Sequence, residues 1–367
     1  MIFEFATATR IVFGPGKVRE VPSAARAMGK RSLLVTGAHG QERSAWLQEE
    51  LDAETWLIPG EPTLDIVRQG VEHARATRCD VIIAFGGGSS IDSGKAIAAM
   101  LTNPGDPIDY LEVIGKGKTL EHPSAPFIAI PTTAGTGAEV TRNAVLGSPE
   151  HRVKVSLRSP HMLPRLALVD PELTHDLPPA ITASTGLDAL TQLIEAYVST
   201  KANPMTDALC REGLHRATRS IRRAFEHPHD AEARLDMSLA SLFSGLALAN
   251  AGLGAVHGFA APIGGMFQAP HGAVCAALLP HATEINIRAL RSRSPDNESL
   301  RRYEEINQTL NIVDICQALQ IPALKTYGIT GHDIPSIVAK ASQASSMKAN
   351  PIVLTENELT EIVIRAR

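Results

Sequence analysis

Short apolar runs alternate with longer amphipathic segments in the first half of the chain. Three runs, residues 32–36, 80–85 and 126–130, are apolar on both faces, as is typical of strands buried in a parallel sheet. Glycine-rich or threonine-rich sequence follows each run. The pattern predicts an α/β domain with a Rossmann-like parallel sheet, whose ligands should gather at the carboxyl ends of the strands.

The pattern changes after about Asp170, where long amphipathic segments replace the β-branched runs. Helices are predicted from about residue 183 to 198, and within residues 201–225 and 233–252. The 367 residues also exceed what one hydrophobic core usually organises. We therefore predict an α/β domain over residues 1–175 and an all-helical domain over residues 176–367.

Composition excludes several classes of partner. With 44% hydrophobic and 20% charged residues the chain is typical of a globular protein, and its net charge of -4 gives no attraction to nucleic acid. No stretch reaches the roughly 18 apolar residues of a membrane span, and the N-terminus lacks a signal-peptide pattern. The 4 cysteines are widely separated and form no CxxC pair. We expect a soluble cytoplasmic protein without nucleic-acid or membrane partners.

A run of three glycines follows the second apolar run, and Gly87, Gly88, Ser89 and Asp92 open what should be a helix. Glycines let backbone N–H groups approach a pyrophosphate, and the N-terminus of a helix adds a favourable dipole. A tight strand-to-helix turn without a ligand would leave the same pattern. The segment is therefore a candidate phosphate-binding turn.

Hydroxyl donors follow the third apolar run, at Thr132, Thr133 and Thr136. Alone, this segment would be an ordinary threonine-rich turn that satisfies its own backbone. Together with the glycine turn, it favours a dinucleotide that bridges two strand ends. Gly37 ends the first run, where an enzyme selective for NAD often carries a carboxylate, so both NAD and NADP are open.

Candidate metal ligands lie in the second half. Asp188 and Gln192 are four residues apart and should share one helix face, while His257 and His271 come later in small, apolar sequence. One carboxylate and two imidazoles suit Fe or Zn with a position open to substrate. A single histidine is more often structural, so the prediction depends on the combination.

Four segments, GGGSSIDSGKAIA, PTTAGTGAEVT, GLDALTQLIEAYVS and VHGFAAPIGGMFQAPHG, resemble the iron-containing (group III) alcohol dehydrogenases in order and spacing. The resemblance extends from RIVFGPGKV near the N-terminus to SSMKANPIVLTENEL near the C-terminus. It implies a Rossmann-like domain that binds NAD(P), an all-helical domain that holds a metal in a dehydroquinate synthase-like fold, and catalysis in the cleft between them.

The resemblance also implies roles for individual residues. The implied cofactor contacts are Gly87, Gly88, Ser89, Asp92, Thr132, Thr133, Thr136 and Lys154. The implied metal ligands and catalytic residues are Asp188, His257 and His271, with Gln192 at a fourth position that is ordinarily histidine. An amide oxygen is a poorer ligand than imidazole, so weak metal binding is expected. Ala261 stands where many relatives carry a proton-relay histidine, which leaves proton transfer to water, the cofactor ribose or another residue.

The expected activity is hydride transfer between NAD(P) and a small alcohol, aldehyde or ketone, with a homodimer or higher homo-oligomer as the expected assembly. Three alternatives stay open. A metal-independent carbonyl reductase would resemble maleylacetate reductases, although those tend to lack the aspartate and keep the histidine that Gln192 replaces here. A catalytically weak nucleotide-binding protein and a metal-dependent lyase on a related fold are the others.

Overall fold

The computed structural model describes residues 2–151 and 153–367. Met1 and Arg152, which fall in the first predicted domain, lie outside the described residues. The chain divides into an α/β unit, Thr7–Thr133 with Gly137–Thr174, and a helical unit, His175–Arg367. Ala134–Thr136 and the N-terminal residues up to Ala6 group with the helical unit, an assignment that the sequence pattern did not predict.

The α/β unit contains eight strands among its described residues: β1 (Ile11–Phe13), β2 (Ser32–Gly37), β3 (Glu54–Ile58), β4 (Val81–Gly86), β5 (Phe127–Pro131), β6 (Asn143–Ser148), β7 (Val153–Arg158) and β8 (Leu166–Val169). Its α-helices are α1 (Val21–Met28), α2 (Ala38–Arg43), α3 (Ala45–Leu51), α4 (Leu64–Ala76) and α5 (Gly88–Thr102).

Six strands form one parallel sheet in the order β1-β8-β5-β4-β2-β3, and β6 and β7 form a separate antiparallel hairpin. The three predicted strands are β2, β4 and β5, so the prediction of a buried parallel sheet is confirmed. Strand order reverses between β2 and β4, since β3 lies beyond β2 while β5 lies beyond β4. Ligands of such sheets bind at the carboxyl ends of strands beside this reversal.

Side chains of the central strands alternate between two apolar clusters. Leu33 and Ile82 belong to one cluster, which includes residues of α4 and α5. Leu34 and Ile83 belong to the other, which includes residues of α1 and α3. Burial on both faces explains why these strands are apolar throughout. The sheet is therefore a rigid central layer that fixes the turns at its carboxyl edge.

The helical unit contains nine α-helices among its described residues: α6 (Pro179–Val198), α7 (Pro204–Glu226), α8 (Ala231–Ala251), α9 (Ala255–Met266), α10 (His271–Arg293), α11 (Glu298–Thr309), α12 (Ile312–Ala318), α13 (Ile334–Ser342) and α14 (Glu356–Ala366). The predicted combination of a parallel-sheet domain with a helical domain is confirmed.

Helix α6 is central to this unit, because it packs against α7, α8 and α10. It begins at Pro179, four residues before the predicted start at 183. Proline suits this first position, since the N–H group that it lacks would have no partner within the helix.

Among the described residues, no single helix combines the length and the apolar composition of a membrane span. Helices α8 and α9 reach that composition only as a pair, and the chain bends by 98° between them.

Candidate active site

Helix α6 carries three polar side chains along one stripe. Asp188 and Gln192 are four residues apart, and Glu195 follows three residues later, a spacing that places all three on one face. All three are buried. Buried polar groups need partners, so this stripe must meet polar side chains from neighbouring helices.

His257 on α9 lies between two of these carboxylates. Its Nδ1 is 2.7 Å from Glu195 Oε2, and its Nε2 is 3.3 Å from Asp188 Oδ1. Glu195 Oε1 also accepts the backbone N–H of Val256 at 2.7 Å, which fixes the carboxylate. An ionised carboxylate at Nδ1 favours the tautomer that protonates this nitrogen and leaves the Nε2 lone pair free for a metal.

His271 is the first residue of α10, and Cys275 follows four residues later on the same face. His271 Nε2 is 3.7 Å from Asp188 Oδ1 and 3.7 Å from Cys275 Sγ. Cys275 Sγ is also 3.7 Å from His257 Nε2. One donor atom from each of Asp188, His257, His271 and Cys275 lies within 4.8 Å of the others.

The structure thus brings together three of the four predicted metal ligands and adds a thiol that sequence reasoning missed. Cys275 lies in an apolar run, CAALLP, where a cysteine is typical of a core. The available signal was its spacing from His271. Glu195 was missed as well, although its spacing from Asp188 and Gln192 placed it on their face.

Gln192 does not present a donor oxygen to this cluster. Its Oε1 accepts the Ser244 hydroxyl at 2.7 Å, and its Nε2 donates to Asp188 Oδ2 at 3.2 Å. The reverse amide orientation would place Oε1 against a carboxylate oxygen, so that two acceptors would face each other. Gln192 therefore stabilises the Asp188 carboxylate through a hydrogen bond, and the family position for a fourth ligand is occupied by an N–H group.

The electrostatics of the cluster favour added positive charge. Burial would raise the pKa of Asp188, but the charge of His271 and the hydrogen bond from His257 lower it below the usual value. Burial would lower the pKa of His271, but its neighbours Cys275 and Asp188 raise that pKa to about 9. The same groups, with Glu195, raise the pKa of His257 well above its usual range. A metal cation can supply the positive charge that protons otherwise supply here.

The glycine turn of the α/β unit lies at the reversal point of the sheet. Gly86 has φ 158°, and a Cβ there would lie 2.4 Å from Ser90 Oγ, so the turn requires glycine at this position. Gly87 precedes α5, and Gly88 and Ser89 begin it. The first N–H groups of a helix lack partners within the helix, so this end can receive a phosphate.

The second predicted cofactor segment lies beside this turn. Thr132 donates its backbone N–H to Gly86 O at 3.0 Å, and a Cβ on Gly87 would lie 3.4 Å from the Thr133 side chain. Lys154 on β7 forms an ion pair with Glu61, with Nζ 3.0 Å from Oε2. Thr136 groups with the helical unit.

Asp92 lies inside α5, where its carboxylate contacts other residues of the α/β unit. It accepts the backbone N–H of Val145 at 2.9 Å, and Lys95 Nζ is 3.6 Å away. Lys95 is buried and donates to the carbonyls of Ala138 and Asn143 at 2.8 and 2.7 Å. These contacts hold the chain that follows the second cofactor segment, and a direct contact of Asp92 with the cofactor stays a prediction.

Comparison with known families gives two matches. The family model described as "Iron-containing alcohol dehydrogenase" matches residues 8–171. The model described as "Fe-containing alcohol dehydrogenase family, C-terminal" matches residues 182–367. The two together cover most of both units.

Individual relatives agree. The chain is 32% identical to Alcohol dehydrogenase 4 of Saccharomyces cerevisiae, covering 96% of each sequence. Its fold is similar to the crystal structure of 1,3-propanediol oxidoreductase, with a TM-score of 0.90, 32% identity and 100% coverage of both chains. It is also similar to sulfoacetaldehyde reductase from Bifidobacterium kashiwanohense in complex with NAD+, with a TM-score of 0.86, 29% identity, and 99% and 98% coverage.

Proposed function

Because the chain belongs to the iron-containing alcohol dehydrogenase family, we propose that it interconverts small alcohols and their aldehydes or ketones with a metal at Asp188, His257 and His271. Proteins of this family are oxidoreductases that act on CH–OH groups with NAD(P) and a divalent metal. A bound NAD(P) would supply the nicotinamide needed for hydride transfer.

The convergence of Asp188, His257 and His271 is the observation that carries this proposal. Their donor atoms come from three helices, with Asp188 Oδ1 at 3.3 and 3.7 Å from the two imidazole Nε2 atoms. Carboxylate and imidazole donors at this spacing fit a divalent transition-metal ion. Such an ion acts as a Lewis acid toward a carbonyl or alcohol oxygen.

The protein's own residues hold two of these donors, Asp188 and His257, in place. Glu195 orients the His257 ring through Nδ1, and Gln192 holds the second oxygen of Asp188. Because these two side chains are already held in position, they need little reorganisation when a metal binds. The geometry of the metal site is therefore set before substrate arrives. Ala261 lies four residues after His257 on α9 and offers no group for proton transfer.

We place the cofactor on the turns of the α/β unit. The N-terminus of α5 at Gly87, Gly88 and Ser89 is the proposed pyrophosphate site, with Thr132 and Thr133 beside it. Thr136 and Lys154 are further proposed contacts. Gly37 supplies no carboxylate at the end of β2, so NAD and NADP are both candidate cofactors and both must be assayed.

A short alcohol or diol is the proposed substrate class, supported by the full-length likeness to 1,3-propanediol oxidoreductase. We also propose a cytoplasmic location. All four cysteines are free thiols, which is typical of a reducing compartment. A homodimer or higher homo-oligomer stays a prediction that light scattering of the purified protein tests.

The test is oxidation of NADH and of NADPH by a panel of short aldehydes, measured for the wild type, Asp188→Asn and Asp314→Asn. Asp314 is exposed on α12 and serves as the matched control. We expect turnover by the wild type and D314N, and loss of kcat/KM in D188N with NAD(P)H binding retained. Wild-type kcat/KM in D188N, or cofactor binding without turnover by any variant, would contradict the proposal.

A further inference from the structure

The donor cluster contains a thiol where the family resemblance expects an imidazole from another helix. Helix α6 offers two positions four residues apart, Asp188 and Gln192, and α10 offers two more, His271 and Cys275. The second position of α6 carries an amide whose two ends already bind Ser244 and Asp188. The second position of α10 carries a sulfur atom that lies against both imidazoles.

The distances within the cluster fit a tetrahedral ion. Zinc bonds of about 2.0 Å to nitrogen or oxygen and about 2.3 Å to sulfur would separate tetrahedral donors by about 3.3–3.6 Å. Cys275 Sγ lies 3.7 Å from the Nε2 atom of His257 and 3.7 Å from that of His271. The two Asp188-to-imidazole distances are 3.3 and 3.7 Å. All four donor atoms lie within 4.8 Å of one another, so donor shifts of about 1 Å or less would complete the shell.

We infer that Cys275 is the fourth metal ligand and that the resulting Asp188, His257, His271 and Cys275 set selects zinc over iron. The inference rests on the proposed metal site and changes its ligand set and its metal. A thiolate is a soft ligand that favours zinc, whereas imidazole alone suits both zinc and iron. Thiolate and carboxylate together also neutralise the charge of a divalent ion, which suits a buried position.

Cys316 is an example of a structural thiol in this fold. Cys316 on α12 is buried, and its Sγ lies 3.6 Å from the backbone oxygen of Ala276. Burial raises its pKa to about 12, so the thiol stays protonated. Cys316 is therefore a matched control for Cys275, because both are buried thiols in the helical unit and only one faces imidazole nitrogens.

The direct test is replacement of the bound metal by Co²⁺, since a thiolate ligand gives cobalt a strong near-ultraviolet charge-transfer band. We expect this band in the wild type and in Cys316→Ala, and its loss in Cys275→Ala and Cys275→Ser. Zinc affinity, measured by competition with a chromophoric chelator, should fall more than about 100-fold in C275A, beyond the effect of losing an outer partner.

A rescue variant separates this inference from general damage to the fold. Cys275→Ala combined with Gln192→His should regain metal affinity without the charge-transfer band, and its preference for Zn²⁺ over Fe²⁺ in an anaerobic competition should be smaller than that of the wild type. A cobalt-loaded wild type without the band, or a C275A variant with wild-type zinc affinity, would overturn the assignment of Cys275. If the Cys275 assignment fails but D188N loses metal affinity, the proposed metal site itself still stands. Wild-type protein that binds neither Zn²⁺ nor Co²⁺ would overturn both the metal site and the assignment of Cys275.

Discussion

Replacing Glu195 with glutamine should weaken metal binding although the side chain touches no substrate. Glu195 accepts two hydrogen-bond donors, the Val256 backbone N–H and His257 Nδ1, each at 2.7 Å. A glutamine has one acceptor oxygen, so its NH₂ group must face one of these two positions. If it faces His257, the ring takes the other tautomer, and the Nε2 proton then occupies the metal position.

The expected magnitude follows from the cost of losing such an outer partner. That loss typically weakens metal affinity about 10–100-fold, which corresponds to about 1.4–2.7 kcal/mol. The loss of metal affinity in Glu195→Ala should lie within or beyond this range, because this substitution removes both acceptor oxygens. Competition of Zn²⁺ with a chromophoric chelator measures the affinity, and circular dichroism confirms that each variant is folded.

Glu305→Gln is the matched control, since Glu305 also accepts two donors, Tyr197 and Arg211, within the helical unit but outside the cluster. Its metal affinity should equal that of the wild type. An E195Q variant that binds zinc as tightly as the E305Q control would refute the argument that Glu195 sets the tautomer of His257.

Three further predictions concern the cofactor turn and stability. Gly86→Ala should raise the Kd of NAD(P)H about tenfold in fluorescence titration, since strain of roughly 1–3 kcal/mol at the positive φ displaces the turn. Burial raises the pKa of Glu139 from 4.5 to about 7. The stability that this group contributes is present below pH 4.5 and is lost as pH rises through about 7. Over that pH rise, the free energy of unfolding of the wild type in urea should therefore fall by about 3 kcal/mol relative to that of Glu139→Gln. Asp236→Asn should reduce the free energy of unfolding by about 2 kcal/mol or more. The two carboxylate oxygens of Asp236 accept hydrogen bonds from Arg216, Arg219 and Ser220, whereas asparagine has only one acceptor oxygen.

Each of these has its own control. Gly60→Ala should bind NAD(P)H like the wild type, since a Cβ there meets nothing within 4 Å. Equal pH dependence in wild type and E139Q would contradict the buried-carboxyl argument. Asp314→Asn should unfold like the wild type, and a D236N variant that does the same would show that the Asp236 network contributes no stability.

The sheet could be predicted where burial dictates composition. Strands β2, β4 and β5 are apolar on both faces and were recognised from that alone. Strand β6 alternates between buried and half-buried positions and includes Asn143, Gly147 and Ser148, so its sequence resembles a loop. Its partner β7 is equally mixed, and pairing between them is a tertiary property.

Part of the candidate site could be predicted from the sequence, but the orientations of its side chains could not. His257 and His271 could be identified because polar rings in small, apolar sequence require polar partners, and Asp188 because it should share a helix face with Gln192. The direction of the Gln192 amide depends on Ser244, which lies 52 residues later in sequence and on another helix. Cys275 became a candidate only when α6, α9 and α10 brought the three other donors to it.

The dependence of turnover on metal tests the account most directly. Protein stripped by a chelator should lose aldehyde-dependent NAD(P)H oxidation, and titration with Zn²⁺ should restore it, reaching a plateau at one ion per chain. The Asp188→Asn variant should regain no turnover under the same titration. Chelated protein that is free of metal by elemental analysis and still turns over at the original rate would contradict the account.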